Sequence, residues 1–334
     1  MATTNSRSNS SNKKKKKPVP LTKRPVIMKS RKRARQVTTQ FHKLTHERER
    51  AVQEGDQDRV QQIDKELQAM GGRSEYQRAS QLSTCFHSTS KRVLGYLARQ
   101  GWLYGITIME QSPLDSDHRH LQSGVTKRKS RPRRDTRILE VGAINTELLD
   151  AAAETIQSLE SSGDTAACTT KYRLDVRSID LHSMEARIEE ADFLTLPFCS
   201  EDVTKRYDVI VCSMVINCVP TPADRGKMLA RLFHHLRPGG LLFLTLPKSC
   251  LTRSAFMTMT VFEDMLGRSG GVGFDIVETK ESPKVAFFVC RRPESEEEPP
   301  QPLNKLWTKR TLRNKGKKFP NQFSIILDPG EVSG

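Results

Sequence analysis

Apolar positions in residues 1–36 are scattered among Lys, Arg and Ser without a helical or strand period, and no element is expected there. A sparse stripe then begins. Phe41, Leu44, Val52, Val60, Ile63 and Leu67 recur at helical spacing, interrupted near Gly55 and stopped by "MGGR" (70–73). Two antiparallel helices, 37–54 and 56–70, are the simplest reading. Val93, Leu94 and Leu97 predict a further helix over 90–100, ended at Gly101. Residues 111–136 lose the pattern altogether and read as a loop, rich in Lys and Arg towards its end.

From 137 the period changes. "RILEV" (137–141), "YRLDVRSIDL" (172–181), "YDVIVCSMVI" (207–216) and "GLLFLTLP" (240–247) are compact apolar runs suited to parallel strands buried on both faces. The helix between the last two is well signalled. Thr221 is its N-cap, Pro222 its first residue and Asp224 its N3 acid. Met228, Leu229, Leu232, Phe233 and Leu236 share a face, and "RPGG" (237–240) stops it. A helix over 253–268 follows. "FDIVETKESPKVAFFVCRR" (274–292) reads as an antiparallel hairpin around "ESPK". The expected architecture is α/β: a Rossmann-like, mostly parallel sheet ending in an antiparallel hairpin, with an N-terminal helical extension. The expected segments are a disordered basic tail (1–36), the helical extension (37–110), a basic loop (111–136), the α/β domain (137–292), and a linker with a basic C-terminal tail (293–334).

Composition refines this picture. Of 334 residues, 36% are hydrophobic and 6% aromatic, so long solvated segments are expected. The net charge of +16 is concentrated at the ends. Residues 1–46 contain Lys and Arg but no acid, and 305–318 repeat that bias, leaving the middle of the chain close to neutral. Such segments attract polyanions by counterion release. "KKKKKP" and "KSRKRARQ" also fit a nuclear or nucleolar address. No apolar run approaches the roughly 20 residues that span a bilayer, and the N-terminus has no apolar signal core, so no membrane partner is expected. Seven cysteines without a C-x-x-C pair suggest reduced thiols and no metal.

Ligands of doubly wound sheets bind beyond the carboxyl ends of the strands. The first strand ends in Glu140–Val141–Gly142, where a glycine lets backbone approach a ligand closely. The second ends at Asp180, whose two acceptor oxygens suit the hydroxyls of a ribose. In "EEADFLTLP" (189–197), Asp192 is placed to accept from an adenine amino group and Phe193 to lie against the ring. "SMVINCVP" (213–220) puts Asn217 near a reaction centre. Each feature has an ordinary alternative: a strand-to-helix turn, a helix cap, a turn cap. Their order on successive strand ends is what points to one nucleoside-bearing cofactor. A dinucleotide would call for G-x-G-x-x-G beneath its pyrophosphate, and "EVGAIN" holds one glycine. S-adenosyl-L-methionine has no pyrophosphate and fits that loop. The terminal hairpin also points to the Rossmann-like class I methyltransferases.

"ILEVG", "SIDLHS", "ADFLTLP", "YQRAS" and the long run "YDVIVCSMVINCVPTPADRGKMLARLFHHLRPGGLLFLTLP" resemble the fungal 25S ribosomal RNA adenine-N(1) methyltransferases. The strongest match covers 137–292, with a weaker one over 76–104. Where that family often has a glycine-rich stretch after Y-Q-x-A-S, this chain has "STCFHSTSKR". The resemblance implies S-adenosyl-L-methionine held at Gly142 and Asp180, with Glu140, Asp192 and Phe193 beside them. Substrate contacts are expected at Tyr76, Gln77, Ser80 and Lys91. Asn217 is expected to position the base, because an Asn amide can pair with the adenine edge. The resemblance further implies methylation of N1 of one adenine in large-subunit rRNA in the nucleolus. The expected partner is large-subunit rRNA or a preribosome, and the expected state a monomer. The competing expectation is a non-catalytic S-adenosylmethionine sensor acting through protein partners, as among metazoan relatives. The basic ends favour RNA.

Overall fold

The computed structural model describes residues 30–84, 89–100, 135–161, 174–198, 205–294, 307–314, 316, 318–328 and 330. Nearly all of the basic loop expected over 111–136, and most of the N-terminal tail, lie outside these residues.

Four helices lead the chain: α1 (Arg31–Glu54), α2 (Gln57–Ala69), α3 (Gly72–Thr84) and α4 (Thr89–Arg99). α1 starts inside the segment expected as tail, because the Ser30 side chain accepts from the Arg33 N–H at 3.4 Å and caps it. Gly55, at φ 73°, closes α1 and turns the chain into α2. Leu44, Ala51, Val60 and Ile63 bury the sparse stripe between the helices.

The sheet comprises β1 (Thr136–Val141), β2 (Leu174–Asp180), β3 (Glu189–Glu190), β4 (Tyr207–Ser213), β5 (Leu236–Pro247), β6 (Asp275–Glu281) and β7 (Val285–Arg291). Its order is β3-β2-β1-β4-β5-β7-β6. β1 to β5 run parallel, and β7 is antiparallel to both β5 and β6. This is the doubly wound sheet with a terminal hairpin that the sequence predicts. The two-residue β3 is too short to leave a periodic signal. Alternate residues bury opposite faces. Leu139, Ile210, Leu242 and Phe288 face one layer. Ile138, Val209, Phe243 and Val289 face the other, against Val93, Tyr96 and Leu97 of α4.

Four helices complete the layers: α5 (Glu147–Ser161) after β1, α6 (Pro222–His235) between β4 and β5, and the pair α7 (Lys248–Thr252) and α8 (Met259–Leu266) after β5. α6 starts as expected. Thr221 Oγ1 accepts from the Asp224 N–H at 3.0 Å, with Pro222 in the first turn. The single helix expected over 253–268 is broken, because a distant segment takes up the backbone of its first half.

That segment is 307–328, expected as part of a basic tail. Instead it straps across the domain. Phe323, Ile325 and Leu327 are buried in the main core. Trp307 pairs with Leu327, and its indole N–H donates to Gly270 O at 2.6 Å. Ser254 bridges to Asn321, and its hydroxyl donates to Phe323 O at 2.6 Å. The Ile326 N–H donates to Pro222 O at 2.9 Å. Gly226 permits this approach, since a Cβ there would overlap the Ile326 carbonyl. No described helix is long and apolar enough to cross a membrane.

Candidate functional site

The carboxyl ends of β1, β2 and β4 converge with α1 and α3. At the end of β1, Gly142 takes φ 71°, a left-handed conformation that suits glycine. Its N–H donates to Ile179 O at 2.8 Å, and a Cβ there would overlap Val215 Cγ2. The turn after β4 therefore lies directly against the turn after β1. Glu140 sits just beneath, buried, and its Oε2 accepts from the Ser178 hydroxyl at 2.8 Å across the β1–β2 register. Burial pushes the Glu140 carboxyl up to about 7, against the opposing effect of the Ser178 bond.

A raised folded-state pKa means that the protonated carboxyl is favoured on folding. The stability it confers is complete below its ordinary 4.5 and declines as pH rises, until it is gone above about 7. A span of that size corresponds to about 3 kcal/mol at most. Urea midpoints of the ligand-free chain between pH 5 and 8 are therefore expected to fall, and Glu140→Gln to remove most of that slope. Equal slopes for the two proteins would contradict a buried, protonatable Glu140.

Asp180 ends β2. Its Oδ1 accepts from the His182 N–H at 3.0 Å and lies 3.5 Å from both Arg73 Nη2 and Gln77 Nε2. These contacts leave Oδ2 as an acceptor without a partner among the described residues. Gln77 also donates to His182 O, and Gln81 Nε2 donates to Ile144 O at 3.1 Å. α3 thus roofs the ends of β1 and β2, over a small cleft lined by Gln77, Ala143, Ile144, Ser183 and Met184. Arg73 Nε is buried there without a partner among the described residues.

The turn after β4 is the most constrained part. Met214 adopts φ 61°, and left-handed backbone costs a non-glycine residue about 1–2 kcal/mol. It is fixed by bonds from the Met214 N–H to Thr245 O at 2.9 Å and from the Cys218 N–H to Val215 O at 2.8 Å. This left-handed residue also ends β4 short of the expected 216. Asn217 Nδ2 donates to Cys218 Sγ at 3.2 Å, and Asn217 Oδ1 is buried with no partner among the described residues. A buried acceptor left unpaired is costly.

Around Asn217 stand groups from far away in sequence. His42 Nε2 is 3.7 Å from Cys218 Sγ. Tyr76 stacks on Phe41 with ring centroids 4.4 Å apart, meets the His42 ring edge-on, and hydrogen-bonds Cys218 and Ser80. Burial keeps these groups uncharged. It pushes His42 down to about 4, raises the Tyr76 phenol, and raises the Cys218 thiol to about 12. Thr89 Oγ1, at the start of α4, is 2.8 Å from Ser213 Oγ, which is 2.9 Å from Thr245 Oγ1. Beneath the turn, Arg225 donates to Val219 O at 2.9 Å, Pro220 O at 3.0 Å and Ser324 O at 2.8 Å.

Gly142, Asp180, Glu140 and Asn217 are thus brought together as the strand-end argument expects. The remaining candidates are placed otherwise. Phe193 is 3% exposed, packed on His235 in the core, so its ring offers no face to a ligand. Its carbonyl accepts from Arg231 Nε of α6 at 3.1 Å, which draws the loop inward. The apolar side chains that do reach solvent beside Asp180 are Leu181 and Met184. Asp192 is exposed and uses Oδ1 to accept from the Leu194 N–H at 2.9 Å. Gln77 belongs to the Asp180 wall rather than to the rim. Tyr76 and Ser80 flank Asn217, and Lys91 lies exposed on the first turn of α4. Arg73, His42, Phe41, Thr89 and Arg225 have no local sequence signal, because tertiary packing alone brings them here.

The residues suit a nucleoside cofactor without a pyrophosphate: a close-approach glycine, an open carboxylate oxygen, apolar cover and an orphaned acceptor one turn away. The model of the family described as 25S rRNA (adenine(2142)-N(1))-methyltransferase, Bmt2, matches residues 61–325. A relative from Saccharomyces cerevisiae, named 25S rRNA (adenine(2142)-N(1))-methyltransferase, is 33% identical over 177 residues, which is 53% of this chain and 49% of that protein. One from Schizosaccharomyces pombe, named 25S rRNA adenine-N(1) methyltransferase, is 31% identical over 127 residues, 36% of this chain and 44% of that protein. The chain spans about half the length of these curated relatives. Among solved structures, the N-methyltransferase NodS from Bradyrhizobium japonicum WM9 aligns with 48% of this chain and 80% of its own, at a TM-score of 0.32 and 15% identity.

Proposed function

The chain belongs to the 25S rRNA (adenine(2142)-N(1))-methyltransferase family, and we propose that it methylates N1 of an adenine in large-subunit rRNA with S-adenosyl-L-methionine as donor. The observation that carries this reading is the buried, unpartnered Asn217 Oδ1 on a turn packed against Gly142.

The cofactor supplies a methyl group on a sulfonium, whose departure leaves a neutral thioether. Gly142 would give its backbone close approach, and Asp180 Oδ2 would accept from ribose hydroxyls. Leu181 and Met184 would cover the cofactor's base. Asn217 Oδ1 would accept from the exocyclic amino group of the target adenine. Alkylation at N1 spreads positive charge onto that amino group and strengthens it as a donor. The bond therefore tightens as the reaction proceeds, which is how a fixed acceptor lowers a barrier. Guanine presents a carbonyl oxygen at the same place and would be repelled.

The N1 lone pair of an unpaired adenine attacks without first losing a proton. Alignment, rather than a strong base, then carries the rate. The neutral His42, Tyr76 and Cys218 around Asn217 agree with this, since none is poised as a base at neutral pH. A paired target would have to leave its helix to reach the turn. The basic N-terminus supports nucleolar residence.

The test is transfer of labelled methyl from S-adenosylmethionine to a large-subunit rRNA fragment, followed by nucleoside analysis. 1-Methyladenosine is the expected product. Cofactor binding without transfer to free rRNA or preribosomes would replace the enzyme with a non-catalytic sensor.

A further inference from the structure

We propose that the folded strap 307–328 is an RNA-docking rim, whose cations seat phosphates of the strand that carries the target adenine. This rests on the reading of the site as an rRNA methyltransferase and names the surface that holds its substrate.

Position comes first. β5 ends at Pro247, beside β4, whose end leads to Asn217. The chain then runs through 252–256, and the strap is bonded along that stretch. The N–H groups of Leu312 and Arg313 donate to Ala255 O at 2.8 and 3.1 Å, that of Asn321 to Arg253 O at 3.1 Å, and Arg313 Nη1 to Thr252 O at 2.9 Å. The strap therefore borders the carboxyl edge of the sheet, where the reaction site lies.

Registration comes second. The strap is joined to the catalytic turn by one side chain. The Arg225 guanidinium holds Val219 O and Pro220 O of the turn and Ser324 O of the strap at once, with the Phe323 ring 5.0 Å away. Whatever the strap holds is thus held at a fixed offset from Asn217.

Charge comes third. The described strap residues include Lys309, Arg310, Arg313 and Lys318 and a single acid, Asp328, at the far end. Arg310, Lys318 and the adjoining Arg253 are exposed. None of these three forms an ion pair among the described residues, unlike the cations of Arg48–Asp64, Arg177–Glu189 and Arg268–Asp275. Aromatic rings lie among the cations: Phe256 is 4.5 Å from Lys309 Nζ, and Phe319 is 5.0 Å from the Arg313 guanidinium. A rim of such cations repels itself unless a polyanion lies on it. Backbone phosphates fix the register of a nucleic acid without reading its sequence. That is the task left over once Asn217 recognises the base.

The experiment uses the full chain with Arg253→Glu, Arg310→Glu and Lys318→Glu combined, leaving the Arg313 and Arg225 bonds intact. Affinity for an rRNA fragment is measured over a series of salt concentrations. The slope of log affinity against log salt should become shallower by about 2, at about 0.7–0.9 for each phosphate that the variant no longer neutralises. Cofactor affinity and thermal midpoint should match the parent. A parental salt slope in the folded variant overturns the rim and leaves the strap to an acidic protein segment. Methyl transfer by the parent separates the two readings. If the parent methylates RNA and the variant keeps its slope, only the rim fails. If the parent transfers no methyl but the slope still depends on the strap, the rim stands and the enzyme does not.

Discussion

Gly142→Arg should abolish S-adenosylmethionine binding while leaving the sheet folded. Three effects add at this residue. A side chain at φ 71° strains the backbone. Its Cβ overlaps Val215 Cγ2, which displaces the turn that bears Asn217. The long guanidinium then fills the space that the cofactor needs. Together these exceed the ~3 kcal/mol that separates a good site from one 100-fold weaker. Calorimetry reads the loss directly, and circular dichroism shows whether the sheet persists. Affinity within a few-fold of the parent, in a folded protein, would remove the cofactor from this turn and the rest of the proposed chemistry with it.

Asn217→Ala should have the complementary effect: slow transfer with cofactor affinity unchanged. A single preorganised group facing developing charge contributes about 10²–10³ in rate, and Asn217 Oδ1 is such a group with no competing partner among the described residues. The loss should appear in kcat more than in the KM for the cofactor. The Asn217 amide is held by the weak acceptor Cys218 Sγ, so its removal should cost the fold little. A variant with parental kcat would show that Asn217 is a turn residue and nothing more.

The strand-end residues were legible because each lies within a local pattern. A buried apolar run stops at a glycine, an acid or an asparagine, and the topology places such stops on one edge. Phe193 shows the limit of that logic. Its ring is expected against the adenine, and the bond from Arg231 on α6 draws it into the core instead. The roof over Asp180 was illegible for a different reason. No helix is expected at "YQRAS", which lies within α3, and nothing local says that Arg73 and Gln77 rather than Tyr76 will reach the second strand. The strap was masked by its own charge. Its run of Lys and Arg reads as solvated tail, while the alternation of Phe323, Ile325 and Leu327 carried the true signal, an edge segment with one buried face.

The three-way grip of Arg225 also bears on how the molecule comes into being. Synthesis runs from the N-terminal side, so a nascent chain has every described strand through Arg291 available before Ser324 exists. The architecture can consolidate early, yet Val219 and Pro220 share their guanidinium with a carbonyl that arrives only afterwards. Competence is thereby tied to the last-folding segment, and a chain halted after the hairpin would hold a finished scaffold around an unbraced turn.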